Sequence, residues 1–210
     1  MRSSNWTALV DRQSALSNAV TGLSRTHSFG PEIEQWLLAE LADRANPADF
    51  IQLRTAYGLT EDPAQLWQEY VDRMAAAVTC RPDVLEGLVQ LRTAEWTIGI
   101  ATNGASNIQR AKLRTTGISE LVDGIAVSGD VQVRKPDRQL FHLAAARCGK
   151  ELADGAWMIG GNPADVEGGR QAGLHTIWLR GRPWPETIPA PHHAAHDVTE
   201  AITFLLNKRE

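Results

Sequence analysis

The chain has 210 residues and a net charge of −4, with 43% apolar and 22% charged residues. These values are those of a soluble globular protein of one large domain, or one domain with an insert, and they exclude a disordered chain and a polybasic nucleic-acid footprint. No apolar run approaches the ~20 residues that span a bilayer, no apolar leader opens the chain, and the two cysteines, Cys80 and Cys148, form neither a disulfide framework nor a metal-ligand pattern, so a reducing cytoplasm is the expected compartment.

Residues 1 to 8, MRSSNWTA, are polar and do not read as a buried strand. From Asp11 the pattern turns helical, with Leu16, Ala19, Val20 and Leu23 at three- and four-residue spacing. Pro31 opens a second helix that runs to Arg44 through Ile33, Trp36, Leu37, Leu38 and Leu41. Asn46-Pro47 breaks it, a short helix spans Ala48 to Tyr57 and stops at Gly58, and Pro63 opens another carrying Leu66, Trp67, Tyr70, Val71 and Met74. Residues 13 to 78 therefore read as an all-helical block whose aromatic residues serve packing.

After Pro82 the pattern alternates. A helix over Val84 to Thr93 precedes a short strand, Thr97 to Ala101, which stops at Thr102-Asn103-Gly104. Ser106 to Thr115 is helical, Leu121 to Val127 contains a second strand at DGIAV, and Asp137 to Cys148 is a helix with Leu140, Phe141, Ala144 and Ala145 on one face. Ala156 to Ile159 is a buried strand broken by Gly160-Gly161-Asn162-Pro163, and a helix with Val166, Gly169 and Ala172 on one face closes at Gly173. A further strand spans His175 to Leu179, and Ala201, Ile202, Leu205 and Leu206 mark a last helix. Strands alternating with helices argue a parallel α/β sheet, in which right-handed crossovers put all strand C-termini on one edge.

Three points on that edge carry chemistry. Thr102, Asn103 and Gly104 offer a hydroxyl and turn N–H groups that can hold an anion. Lys135, in Arg134-Lys135-Pro136-Asp137, puts a cation just before a helix N-terminus. Asp165 adds a carboxylate. Each has a plainer reading: Thr102 as turn chemistry, Lys135 as a solvated surface residue, Asp165 as a helix N-cap. Together they suit a phosphate with a counter-ion.

The segments IATNG (Ile100 to Gly104), VRKPDRQLF (Val133 to Phe141) and MIGGNPADVEGGRQAG (Met158 to Gly173) resemble the second, third and fourth motifs of the haloacid dehalogenase-like superfamily, in the helical-cap subfamily I. The resemblance covers about residues 9 to 207. It implies an α/β fold with a Rossmann-like parallel-sheet core, residues 1–12 and 82–210, and an inserted all-helical cap, residues 13–81. It also implies phosphoryl transfer through an aspartyl intermediate, usually with magnesium.

The first motif of that family, D-x-D-x-T, is missing. Counting back from Leu9-Val10-Asp11 puts Ser4 at the nucleophilic aspartate, Trp6 at the acid/base aspartate and Ala8 at the threonine, while Gly161 replaces the first acid of the fourth motif and leaves Asp165 alone. One carboxylate is too few for octahedral Mg²⁺, so no cofactor, or magnesium at most weakly at Asp165, is expected. A serine nucleophile needs an adjacent base, and His27, His175, His192, His193 and His196 give none by sequence.

Three readings are open: a repurposed member that binds a phosphorylated or carboxylate-bearing small molecule through Thr102, Asn103, Gly104 and Lys135; a conventional hydrolase with weak residual activity; and a non-catalytic interaction protein. No nucleic acid and no membrane partner is expected. The polarity of residues 1–8 further implies a damaged central strand. Three outcomes are open: a short strand beginning only near Trp6, which is favoured; an N-terminus that swings away while the neighbouring strands close up; or a second chain that covers the defect, as in a homodimer through the cap or sheet edge.

Overall fold

The computed structural model describes residues 2–4, 12–42, 45–152, 155–181 and 184–208. Two compact units emerge, one from residues 1–10, 80–103 and 117–210, the other from residues 11–79 and 104–116.

The first unit is built on a six-stranded, all-parallel sheet. Its strands are β1 (Arg2–Ser4), β2 (Ile98–Thr102), β3 (Gly124–Val127), β4 (Trp157–Gly160), β5 (His175–Leu179) and β6 (His193–Ala195), in the order β3-β2-β1-β4-β5-β6. Every residue of β2 and β4 is buried, which is why both segments read as continuous apolar runs. Helix α8 (Gln139–Arg147) packs on β2 and β3, and α9 (Pro163–Gln171) on β4 and β5. Leu140, Phe141 and Ala144 of α8 meet Ala101, Ala126 and Met158 of the sheet in one apolar cluster. Helices α5 (Pro82–Thr93) and α10 (Val198–Asn207) pack together at Gly87, where an added Cβ would come within 2.8 Å of Ile202.

The second unit is helical: α1 (Arg12–His27), α2 (Pro31–Glu40), α3 (Pro47–Tyr57), α4 (Pro63–Ala76) and α6 (Ser106–Thr115). Pro31, Pro47 and Pro63 each sit in a first turn, where their missing N–H costs nothing. Gly58 ends α3 at φ 61, the left-handed C-cap that glycine adopts without strain. Phe50, Trp67 and Tyr70 form an aromatic core with ring centroids 5.6–5.9 Å apart. Among the described residues no helix is long and apolar enough to cross a membrane.

The start of the chain departs from expectation. Arg2–Ser4 form a strand in mid-sheet, paired in parallel with β2 and β4 at once, rather than a strand that begins only near Trp6. A ladder is made by backbone groups, and two fully buried neighbours template it whatever side chains β1 carries. Trp6 and Ala8 lie outside the described residues. Three further elements escaped the pattern: a 3-10 turn over Ile118–Leu121, the one-turn helix α7 (Ser128–Val131) and the edge strand β6, three residues without a large apolar side chain.

Candidate functional site

The site forms where β1, β2 and β4 end. The register sets Ser4 level with Ile100 and Ile159, so Thr102 and Gly161 each lie two residues beyond a position paired with Ser4. Thr102, the last residue of β2, is fully buried.

Lys135 is not a solvated surface lysine. It is 5% exposed, and its ammonium donates to the Ala101 carbonyl at 2.8 Å and lies 2.8 Å from Asp165 Oδ1. Ala101 belongs to β2 and Asp165 follows β4, so one side chain joins the two strands that flank β1. Asn103 fixes where that side chain starts. Its Oδ1 accepts the Lys135 N–H at 2.8 Å and its Nδ2 donates to the Lys135 carbonyl at 3.1 Å, a two-point clasp like a rung of a sheet. Asn103, read in the sequence as part of an anion cradle, thus spends these carboxamide atoms on holding Lys135. Losing the clasp strands a backbone pair, so Asn103→Ala is expected to cost about 1–3 kcal/mol, with Asn103→Asp, which keeps only the acceptor, in between. Urea denaturation of the three proteins measures this.

Asp165 is held just as closely. Helix α9 starts at Pro163, and its N-cap is Asn162, not Asp165. Asn162 accepts from the Ala164 N–H at 3.1 Å, while Asp165 Oδ2 accepts from the Asn162 N–H at 2.9 Å, a reciprocal capping box. The pattern Asn-Pro-Ala-Asp carried that signal, since a capping residue followed three positions later by an acid marks a helix start. Two glycines make the closeness feasible. A Cβ on Gly160 would fall 2.4 Å from that of Asp165, and one on Gly168 would fall 2.4 Å from the Pro136 carbonyl oxygen.

The carboxylate of Asp165, 1% exposed, is therefore committed on one oxygen to Lys135 and on the other to the backbone. The first acidic residue of the whole chain is Asp11, so β1 and the residues up to Val10 supply no carboxylate. Among the described residues no group of three or more His, Cys, Asp or Glu is placed to hold a metal. This donor set does not fit octahedral Mg²⁺. What remains is a buried, charge-balanced pair, with Thr102 buried at the end of β2 next to Ala101, whose carbonyl accepts from Lys135.

Gly104 opens the segment that groups with the helical unit. It sits at φ 142, and a Cβ there would meet Gln109 Nε2 at 2.5 Å.

The histidines have other partners. His27 bonds Glu69 at 2.9 Å through Nε2, which holds the Glu69 carboxyl below its ordinary value, and its Nδ1 lies 3.9 Å from Glu61. His193 stacks on Phe204 with ring centroids 3.8 Å apart. Neither cysteine is poised as a nucleophile, because burial pushes the Cys80 thiol up and the Cys148 thiol to about 11.

Known proteins share this framework. The pyrimidine 5'-nucleotidase YjjG of Escherichia coli (strain K12) is 33% identical over 133 residues, 62% of this chain and 59% of that one. A phosphoserine phosphatase of Thermus thermophilus is 36% identical over 112 residues, 51% of this chain and 45% of its own length. The chain thus spans about half to three fifths of the length of the curated relatives it matches. Among solved structures, YfnB from Bacillus subtilis, bound to magnesium, superposes with a TM-score of 0.68 at 23% identity, covering 94% of this chain and 93% of that one, a likeness of fold. The profile of the haloacid dehalogenase-like hydrolases matches residues 7–179, a range that takes in Thr102, Lys135 and Asp165 and begins just after Ser4 and Trp6. With that match over most of its length, the chain belongs to the haloacid dehalogenase-like hydrolase family.

Proposed function

We propose that this protein is a catalytically degenerate member of its family that binds a small phosphorylated or carboxylate-bearing molecule through Thr102 and Lys135 and does not turn over phosphate esters with magnesium. One observation carries the reading: Asp165, the one motif carboxylate left, is ion-paired with Lys135 through Oδ1 and accepts from the Asn162 N–H through Oδ2, and residues 1–10 contain no carboxylate. Ser4 and Trp6 stand where the resemblance puts the nucleophile and the acid/base. Without the nucleophile an enzyme typically loses on the order of 10⁶ in rate. The ammonium of Lys135, held by Asn103, and the Thr102 hydroxyl form the half of the site that receives an anion. The helical unit is the proposed cap. Metal binding at Asp165 is weak in this reading, because Mg²⁺ must first displace Lys135.

The test uses the intact chain. Inorganic phosphate, phosphoserine and malonate are titrated in thermal unfolding, and p-nitrophenyl phosphate hydrolysis is followed with and without Mg²⁺. A bound anion at 100 times its Kd stabilises by roughly 2.7 kcal/mol. A shift with one of these anions that Thr102→Val removes, with no Mg²⁺-dependent hydrolysis, is expected. Mg²⁺-dependent turnover by the unaltered protein would favour the conventional hydrolase, a reading supported by the nucleotidase and phosphatase relatives.

A further inference from the structure

The junction of β5 with the edge strand β6 is completed by a side chain. Strand β5 turns its backbone groups alternately to its two neighbours. The His175 N–H donates to Ala156 on the β4 side at 2.9 Å, and the Arg180 N–H donates to Ala195 on the β6 side at 3.0 Å. Thr176 has the parity of Arg180 and faces β6, yet β6 begins only at His193, which pairs with Ile177. The missing rung comes from His192. The Thr176 N–H donates to His192 Nδ1 at 3.1 Å, Thr176 Oγ1 lies 3.0 Å from the same nitrogen, and the His192 N–H donates to Thr176 Oγ1 at 3.3 Å. Thr176 is fully buried, so its N–H has no water to turn to. An imidazole nitrogen accepts only when it carries no proton, so this geometry requires neutral His192 with its hydrogen on Nε2.

We infer that His192 is a proton-operated latch on the sheet edge: the neutral ring docks the start of β6 on β5, and protonation at Nδ1 turns the acceptor into a donor facing a buried N–H and releases that end of the strand.

The surroundings bias the latch in one direction. From α9, Arg170 donates to the Ala190 carbonyl at 2.9 Å and sets a positive charge near the ring. From β5, His175 meets His192 edge-on with centroids 5.0 Å apart. Trp157 of β4 stacks on His175, Phe204 of α10 stacks on His193, and Lys208 lies over Trp157, so these groups are engaged elsewhere. Partial burial first, then Arg170 and His175, hold the His192 pKa below the ordinary histidine value. A histidine whose folded value is depressed contributes stability that is present above its unfolded value, ~6.5, and lost as pH falls from there through the folded value. The latch is closed at neutral pH and opens on mild acidification. Opening leaves the edge of β5 unpaired, a template for another strand.

Amide hydrogen exchange on the full chain between pH 7.5 and 5.0, corrected for intrinsic rates, reads the latch directly. Protection of Thr176 and of the β6 amides is expected to fall about tenfold per pH unit below the folded value, as one-proton linkage requires, with β2 and β4 unchanged. His192→Asn, whose side-chain oxygen stands in for Nδ1 and does not titrate, should keep that protection flat. His175→Gln should retain the fall. The imidazole ¹⁵N shifts should report an unprotonated Nδ1 at pH 7.5. Flat protection in the unaltered protein, the same fall in His192→Asn, a fall abolished by His175→Gln, or a protonated Nδ1 at pH 7.5 would each overturn the latch.

Discussion

Lys135→Met is expected to lower the stability of the sheet-bearing unit by about 3–5 kcal/mol, because it strands a buried carboxylate. Lys135 and Asp165 are 5% and 1% exposed, and their contact is 2.8 Å. At this chain length each kcal/mol moves a thermal midpoint by about 2–4 °C, so the drop is about 6–20 °C. Asp165→Asn should cost a similar amount, since it leaves the ammonium without its counter-charge while keeping an acceptor for the Asn162 N–H. The double variant decides the matter. With both charges gone it should recover at least about 2 kcal/mol relative to the sum of the single losses, the signature of direct coupling. Strict additivity would mean that the two groups act separately and that Lys135 is held by the Ala101 carbonyl and Asn103 alone. Phosphate measured against the same set separates stability from binding: a variant that folds and no longer responds to phosphate has lost the anion contact itself.

The sheet was legible where burial dictates residue type. β2 and β4 must be apolar on both faces, so Ile98–Thr102 and Trp157–Gly160 stand out as runs. The two strands that did not stand out are held by other means. β1 is three residues of backbone pairing between two apolar strands, and nothing in Arg-Ser-Ser advertises that. β6 begins beside His192, whose ring replaces a backbone acceptor, and such a replacement leaves no periodic trace. The site shows the same division. Thr102, Lys135 and Asp165 could be named individually because each lies at a boundary: Thr102 ends β2, Lys135 is in the turn before α8, and Asp165 is in the first turn of α9. That Lys135 and Asp165 neutralise one another, and that Asn103 clasps the Lys135 backbone, are facts of residues some thirty positions apart, which local pattern does not carry.

Under the proposed function, the combined substitution Ser4→Asp, Trp6→Asp and Gly161→Asp should raise Mg²⁺-dependent phosphatase activity above that of the parent. The register supports Ser4 and Gly161: Ser4 stands level with Ile100 and Ile159, one strand to either side, and Gly161 is two residues past that matched position. Trp6 is chosen by the resemblance alone. Three added carboxylates, with Asp165, would supply the hard oxygen donors that Mg²⁺ requires. They would also compete for Lys135, which in the parent is matched by a single acid. A gain of at least about 10²-fold in p-nitrophenyl phosphate hydrolysis is expected, the scale of one well-placed acid or base, and chelation or a further Asp165→Asn change should abolish it. Partial recovery is the reasonable ceiling, because Ala8, at the threonine position of the first motif, stays unaltered. If the triple variant keeps the parent's circular dichroism and unfolding midpoint yet shows no activity at any Mg²⁺ concentration, then Ser4 and Trp6 are not the positions of the lost aspartates, and the strand Arg2–Ser4 enters the sheet in a register of its own.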